Sequence, residues 1–165
     1  MRNRTSLIAG LCCLLTLFMS GPSLAQQPEP DLNLQFSCSK TEGEGFEKVI
    51  YADIGEFVLQ GEQIRSFRWE SSLHRSTHGF DCSLDESDGL QVSRLENGWR
   101  IMLVDAQQAR EKRGFDMPRG KFCTVRLLKD GQYLQVLPSC ATLCGSRSNF
   151  SELRIHLPSK KCEYP

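Results

Sequence analysis

From Leu32 onward the chain is a succession of short apolar runs broken by turn residues. Leu32, Leu34, Phe36 and Cys38 alternate with polar residues, the period of a half-buried strand. Thr41 to Gly45 reads as a loop, and Val49 to Ile54 and Phe57 to Leu59 as two further apolar runs. Gly61-Glu62-Gln63 turns the chain into Ile64 to Glu70, where Phe67 and Trp69 share a face. After a loop at Asp85 to Gly89, Leu90 to Leu95 and Trp99 to Val104 flank Glu96-Asn97-Gly98. Asn-Gly between such runs predicts a hairpin, because both residues tolerate positive φ. Lys121 to Leu128 and Gln132 to Leu137 flank Lys129-Asp130-Gly131 and predict a second one. Leu153 to Leu157 reads as a last strand, stopped by Pro158, and only Ala106 to Lys112 (AQQAREK) reads as a helix. The expected fold class is all-β: a single small barrel or sandwich of short antiparallel strands, stapled by disulfides. Trp69 and Trp99 are expected in its core.

The first residues follow a different pattern. Arg2 and Arg4 precede a mostly apolar stretch from Ser6 to Met19, and Ser23-Leu24-Ala25 ends it with small residues. That is the anatomy of a secretory signal peptide over residues 1–25. The run is short for a transmembrane anchor, which needs about 20 apolar residues. Residues 26–31 then form a flexible polar lead-in, and 32–165 a single β-rich domain. Removing 25 of the 165 residues leaves 140, one domain's worth. The 20 basic and 20 acidic residues balance, and losing Arg2 and Arg4 leaves −2. No basic excess points to nucleic acid. The expected location is a Gram-negative periplasm or the exterior.

Eight cysteines, less Cys12 and Cys13 of the signal, leave Cys38, Cys82, Cys123, Cys140, Cys144 and Cys162. An even set in an exported chain reads as three disulfides. Cys140 and Cys144 are four positions apart, but no second pair completes a zinc site, and Cys-x-x-Cys in a βαβ setting, the redox pattern, is missing. If Asp130 and Gly131 sit at a turn, Cys123 and Cys140 lie close on neighbouring strands. Cys144 is then expected to meet Cys162, and Cys38 to meet Cys82, among the 15 connectivities that six cysteines allow. The loop from Gly145 to Asn149, held at both ends, would present Arg147 rigidly.

Other candidates resolve toward surfaces. His74 and His78 sit among serine, threonine and glycine and read as a surface loop. Asp81, Asp85, Glu86 and Asp88 lack the alternating spacing of a calcium loop and read as a solvated acidic loop. Arg110, Lys112, Arg113, Arg119 and Lys121 read as solvated surface. No phosphate loop, serine elbow or metal motif is present in the sequence. Neither a catalytic residue, a metal nor a cofactor is therefore assigned.

In overall plan the chain resembles the small periplasmic lysozyme inhibitors of Gram-negative bacteria. The shared features are export, a cysteine soon after the mature start (Phe36-Ser37-Cys38), a run of short strands, and a C-terminal cysteine, Cys162, stapled back. Their Ser-Gly-x-x-Tyr type loop is not found here, so no inhibitory residue is carried over. The resemblance implies a non-enzymatic binding module with a protein partner, for example an inhibitor or immunity protein against a peptidoglycan hydrolase. Asp85, Glu86, Asp88 and Arg147 are the candidate contacts. A structural envelope or adhesin-type component is the alternative, and a hydrolase using the paired carboxylates ranks last.

Overall fold

The computed structural model describes residues 31–115, 122–140, 143–144 and 149–165. The signal peptide, most of the lead-in, Arg119, Lys121 and Arg147 lie outside them. The alternation at Leu32 to Cys38 opens strand β1 (Leu32–Glu42), with those four residues buried and their neighbours exposed. Next come β2 (Val49–Gln60), β3 (Gln63–Arg75) and β4 (Gly79–Asp85), which ladder in chain order into one antiparallel sheet. The second sheet holds β5 (Leu90–Leu95), β6 (Gly98–Leu103), β7 (Thr124–Asp130), β8 (Tyr133–Pro138), β9 (Leu153–His156) and β10 (Cys162–Glu163), again in chain order. Helix α1 (Ala106–Lys112) interrupts it, with the Asp105 carboxylate accepting from the Gln108 N–H at 2.8 Å as its N-cap.

The two sheets bury one apolar core that runs from Leu34, Phe57, Phe67 and Trp69 to Trp99, Ile101, Leu127 and Leu134. This is the sandwich rather than the closed barrel: β1 and β10 lie at the rims of different sheets. Both tryptophans are buried as expected. The Trp99 indole N–H reaches the Gly61 carbonyl at 3.1 Å, and Arg94 and Lys129 lie over its ring.

Strands β1 to β3 have 11, 12 and 13 residues, so the expectation of short strands fails for the first sheet. Val49 to Ile54 and Phe57 to Leu59 are one strand, because Gly55 does not break it. Gly55 pairs with Phe36, and a Cβ on it would lie 2.2 Å from the Phe36 ring. The aromatic ring fills the space the glycine leaves. Strand β3 runs on through His74, and β4 takes in Asp81, so these two are strand residues, not loop residues.

Both expected hairpins form, for different reasons. Gly131 has φ +58 at the turn between Asp130 and Tyr133, the left-handed conformation that favours glycine. Gly98 has no such φ; a Cβ there would lie 1.9 Å from the Leu127 carbonyl oxygen, so close approach of β7 is what requires it.

Candidate functional site

Four residues face inward in one register row across the first sheet: Cys38, Asp53, Ser71 and Cys82. Both ends of the row are disulfide-bonded. Cys38 joins Cys162 of β10, Cys82 joins Cys144, and the third bond is Cys123–Cys140. The expected Cys123–Cys140 bond is present, whereas the expected Cys38–Cys82 and Cys144–Cys162 bonds are not. The row gives the reason. Three strand spacings separate Cys38 from Cys82, about 14 Å, while a disulfide needs Cα atoms within about 7 Å. All six cysteines among the described residues are thus paired.

The two middle residues of the row are polar and buried. Asp53 accepts from the Trp69 indole N–H at 2.8 Å and from the Tyr164 hydroxyl at 2.9 Å. Burial raises the Asp53 carboxyl above its ordinary range despite these bonds, and burial beside that carboxylate also raises the Tyr164 phenol. Ser71 accepts the Phe150 N–H on its hydroxyl and the Asn149 side-chain amide on its carbonyl, at 2.9 and 2.7 Å. Phe150 holds a left-handed φ of 57°, an unfavourable conformation for a non-glycine residue. Its ring packs edge-on to Trp69 at 4.8 Å. The row therefore anchors two pieces of chain, the loop ending at Phe150 and the C-terminal segment.

Strands β1, β2 and β3 continue past this row to Glu42, Val49 and Arg75 and overhang that end of the sandwich. A cleft of about 480 Å³ lies beneath, lined by Lys40, Glu42, Tyr51, Asn149, Glu152 and Tyr164. At the tip, Gly43 and Gly45 take φ +70 and +56, and a Cβ on Gly43 would lie 2.7 Å from the Glu47 carbonyl oxygen. This tight turn sets Phe46 outward, 91% exposed. The Ser76 hydroxyl, from the β3–β4 turn, donates to the Phe46 carbonyl at 3.0 Å and joins the two tips.

The acidic segment sits elsewhere. Asp85, Glu86 and Asp88 flank and form a single 3-10 turn in which Asp85 accepts from the Ser87 N–H and Asp88 from the Asp85 N–H. The Ser87 bonds, larger than the opposing burial, hold the Asp85 carboxyl below its ordinary range. Glu86 accepts from the Phe67 N–H. Asp88, with its side chain 5% exposed, pairs with Arg113 at 2.7 Å. Arg113 also donates to the carbonyls of Ala109 and Ser83. The expectation of a freely solvated acidic loop and a solvated Arg110 and Arg113 is corrected here: Arg110 is 2% exposed and Arg113 is the clasp between helix and turn. Helix α1 can place them inward because residues 106, 109, 110 and 113 share one face. His74 lies 3.8 Å from Asp81, and His78 contacts Thr77. Among the described residues no three His, Cys, Asp or Glu side chains gather as metal ligands would, and no helix is long and apolar enough to cross a membrane.

Nothing in the sequence marked Asp53 or Phe46. A lone acid within an apolar run (VIYADIGEF) and an aromatic residue within a glycine- and glutamate-rich turn (EGEGFE) were the available signals. What the fold and its anchored end define is a class: a disulfide-stapled β-sandwich with long hairpins at one end and the chain anchored there at Asn149 and Phe150. No family model, curated protein or solved structure matches the chain.

Proposed function

We propose that this is an exported binding module of the periplasm that holds or blocks another protein through its anchored end, with a cell-wall hydrolase as the target class. The observation that carries the reading is Phe46: a large apolar ring, 91% exposed, on a turn whose glycines take left-handed φ and which is hydrogen-bonded to the neighbouring turn. An exposed aromatic ring at a tip suits insertion into a partner's pocket, as aromatic anchors do at interface centres. Arg147, the sequence's other candidate contact between Cys144 and Asn149, lies outside the described residues. The carboxylates of Asp85, Glu86 and Asp88 are engaged within the molecule, which makes them the weaker contact candidates.

The test is capture of partners from periplasmic extract, together with inhibition of peptidoglycan lysis by a panel of lysozymes and amidases. Wild type is expected to retain a hydrolase stoichiometrically, and Phe46→Ser to lose it while keeping all three disulfides. Capture of nothing but copies of the same chain, with no inhibition at micromolar concentration, would overturn the reading in favour of a structural envelope component.

A further inference from the structure

A second surface, away from that end, has the makings of a peptide site. Strand β1 is the rim of its sheet. Its first eight residues, LNLQFSCS, carry neither a charge nor a proline, although rim strands are ordinarily blunted by such residues to prevent pairing with other chains. Near Cys38 the rim is shadowed by β10, with Cα atoms of Cys38 and Cys162 5.6 Å apart. From Leu32 to Ser37, about 20 Å of strand, no backbone hydrogen bond is made on the side away from β2 among the described residues.

From the rim a groove of about 770 Å³ extends over the outer face of β1 to β3, with Gln35, Ile54, Glu56, Arg68 and Glu70 on the sheet side and Lys160 and Lys161 beside the rim. Ile54 is 55% exposed, an apolar spot between polar neighbours. The two lysines are mounted rigidly. Lys160 holds a left-handed φ of 59°, its N–H bonds the His156 carbonyl, and the His156 ring meets the Ser159 hydroxyl at 2.7 Å. Cys162, the next residue after Lys161, is tied to β1. Neither lysine makes an ion pair among the described residues.

We propose that the β1 rim binds an extended peptide segment of a partner protein, adding it as a further strand, with an acidic side chain of that segment lying against Lys160 and Lys161. Rim pairing supplies affinity through main-chain hydrogen bonds, and the flanking groove supplies selectivity. A second copy of this chain fits less well. Its own rim segment, LNLQFSCS, brings no carboxylate to lie against the two lysines. The site is separate from the Phe46 end and does not depend on it.

The experiment is an amide NMR titration of the full disulfide-bonded protein. The probe is an acetylated, amidated octapeptide alternating threonine and valine around a central glutamate. Shifts are expected at Gln35 to Ser37 and at Lys160 and Lys161. Binding should weaken about fivefold in Lys160→Glu/Lys161→Glu, or with a central lysine in the peptide, as for an exposed charge pair. It should vanish when alternate peptide amides are N-methylated, and persist in Phe46→Ser. Absence of shifts at the rim at millimolar peptide, or equal binding of the N-methylated peptide, overturns the proposal. So does sedimentation showing a concentration-dependent dimer whose formation displaces the peptide from Gln35 to Ser37, which would assign the rim to a second copy.

Discussion

The Tyr164 hydroxyl donates to the buried carboxylate of Asp53 at 2.9 Å, across 111 positions of chain. The Cys38–Cys162 bond lies beside it, because Cys38 pairs with Asp53 across β1 and β2. One covalent and one polar tie thus close the sandwich where the C-terminus meets the first sheet. Tyr164→Phe removes the hydrogen bond and leaves the ring. The expected loss is about 2 kcal/mol, the worth of a hydrogen bond to a charged acceptor. Urea unfolding of the oxidised protein measures it, and an unchanged midpoint would mean that the disulfide alone holds the segment.

Asp53 also sets a pH dependence. Its folded-state carboxyl is raised above the unfolded value, so the native state binds the proton more tightly. The stability that proton contributes is fully present below the unfolded value, near pH 4, and is lost as pH rises through the raised one. Asp85 is lowered and acts in the opposite sense, its contribution being lost as pH falls below about 4. Thermal midpoints should therefore climb as pH is lowered from 7 and turn over near 4. Asp53→Asn, which cannot titrate, should lose the climb; a climb that survives in this variant would assign it to another group.

Removing the Cys82–Cys144 bond should free the loop from the end of its register row. The closed segment has a separation of 62 residues, for which chain entropy gives about 4 kcal/mol. Cys82→Ala/Cys144→Ala is expected to lower the unfolding free energy by up to that amount while β structure remains in the far-ultraviolet spectrum. Peptide mapping without reduction checks the pairing itself. Recovery of a Cys38–Cys82 fragment would contradict the two-strand gap between them.

The clasp of Asp88 and Arg113 is another place where one partner cannot be lost alone. Arg113→Met leaves a carboxylate whose side chain is 5% exposed without its cation, and a cost of about 3 kcal/mol is expected. Asp88→Asn in the same molecule should restore part of it. A double-mutant cycle read by denaturant unfolding gives the coupling; strict additivity would show that the pair does not interact.

Gly55→Ala should destabilise by about 2 kcal/mol, since its Cβ would lie 2.2 Å from the Phe36 ring in an otherwise well-packed core. Phe36→Leu, by withdrawing the ring, should make the alanine less costly. Thermal midpoints of the two single variants and the double variant decide it.

Everything legible in the sequence was local in its physics. Alternation at Leu32 to Cys38 marks a strand because successive side chains face opposite sides. AQQAREK marks a short helix, and the turns at residues 97 and 131 mark hairpins. Cys123–Cys140 could be read because one hairpin carries both cysteines to the same level. The tertiary structure decided what depends on which distant strands share a row. Asp53 looks like any acid in the sequence, and it becomes a buried anchor only because β3 brings Trp69 and Ser71 to it and the C-terminus brings Tyr164. Gly55 looks like a break, and it is mid-strand only because Phe36 covers it. Arg113 looks solvated, and it is drawn inward by a carboxylate 25 residues away. The remaining cysteines pair as they do because three strand spacings exceed the reach of a disulfide, and that distance enters only once the sheet is assembled.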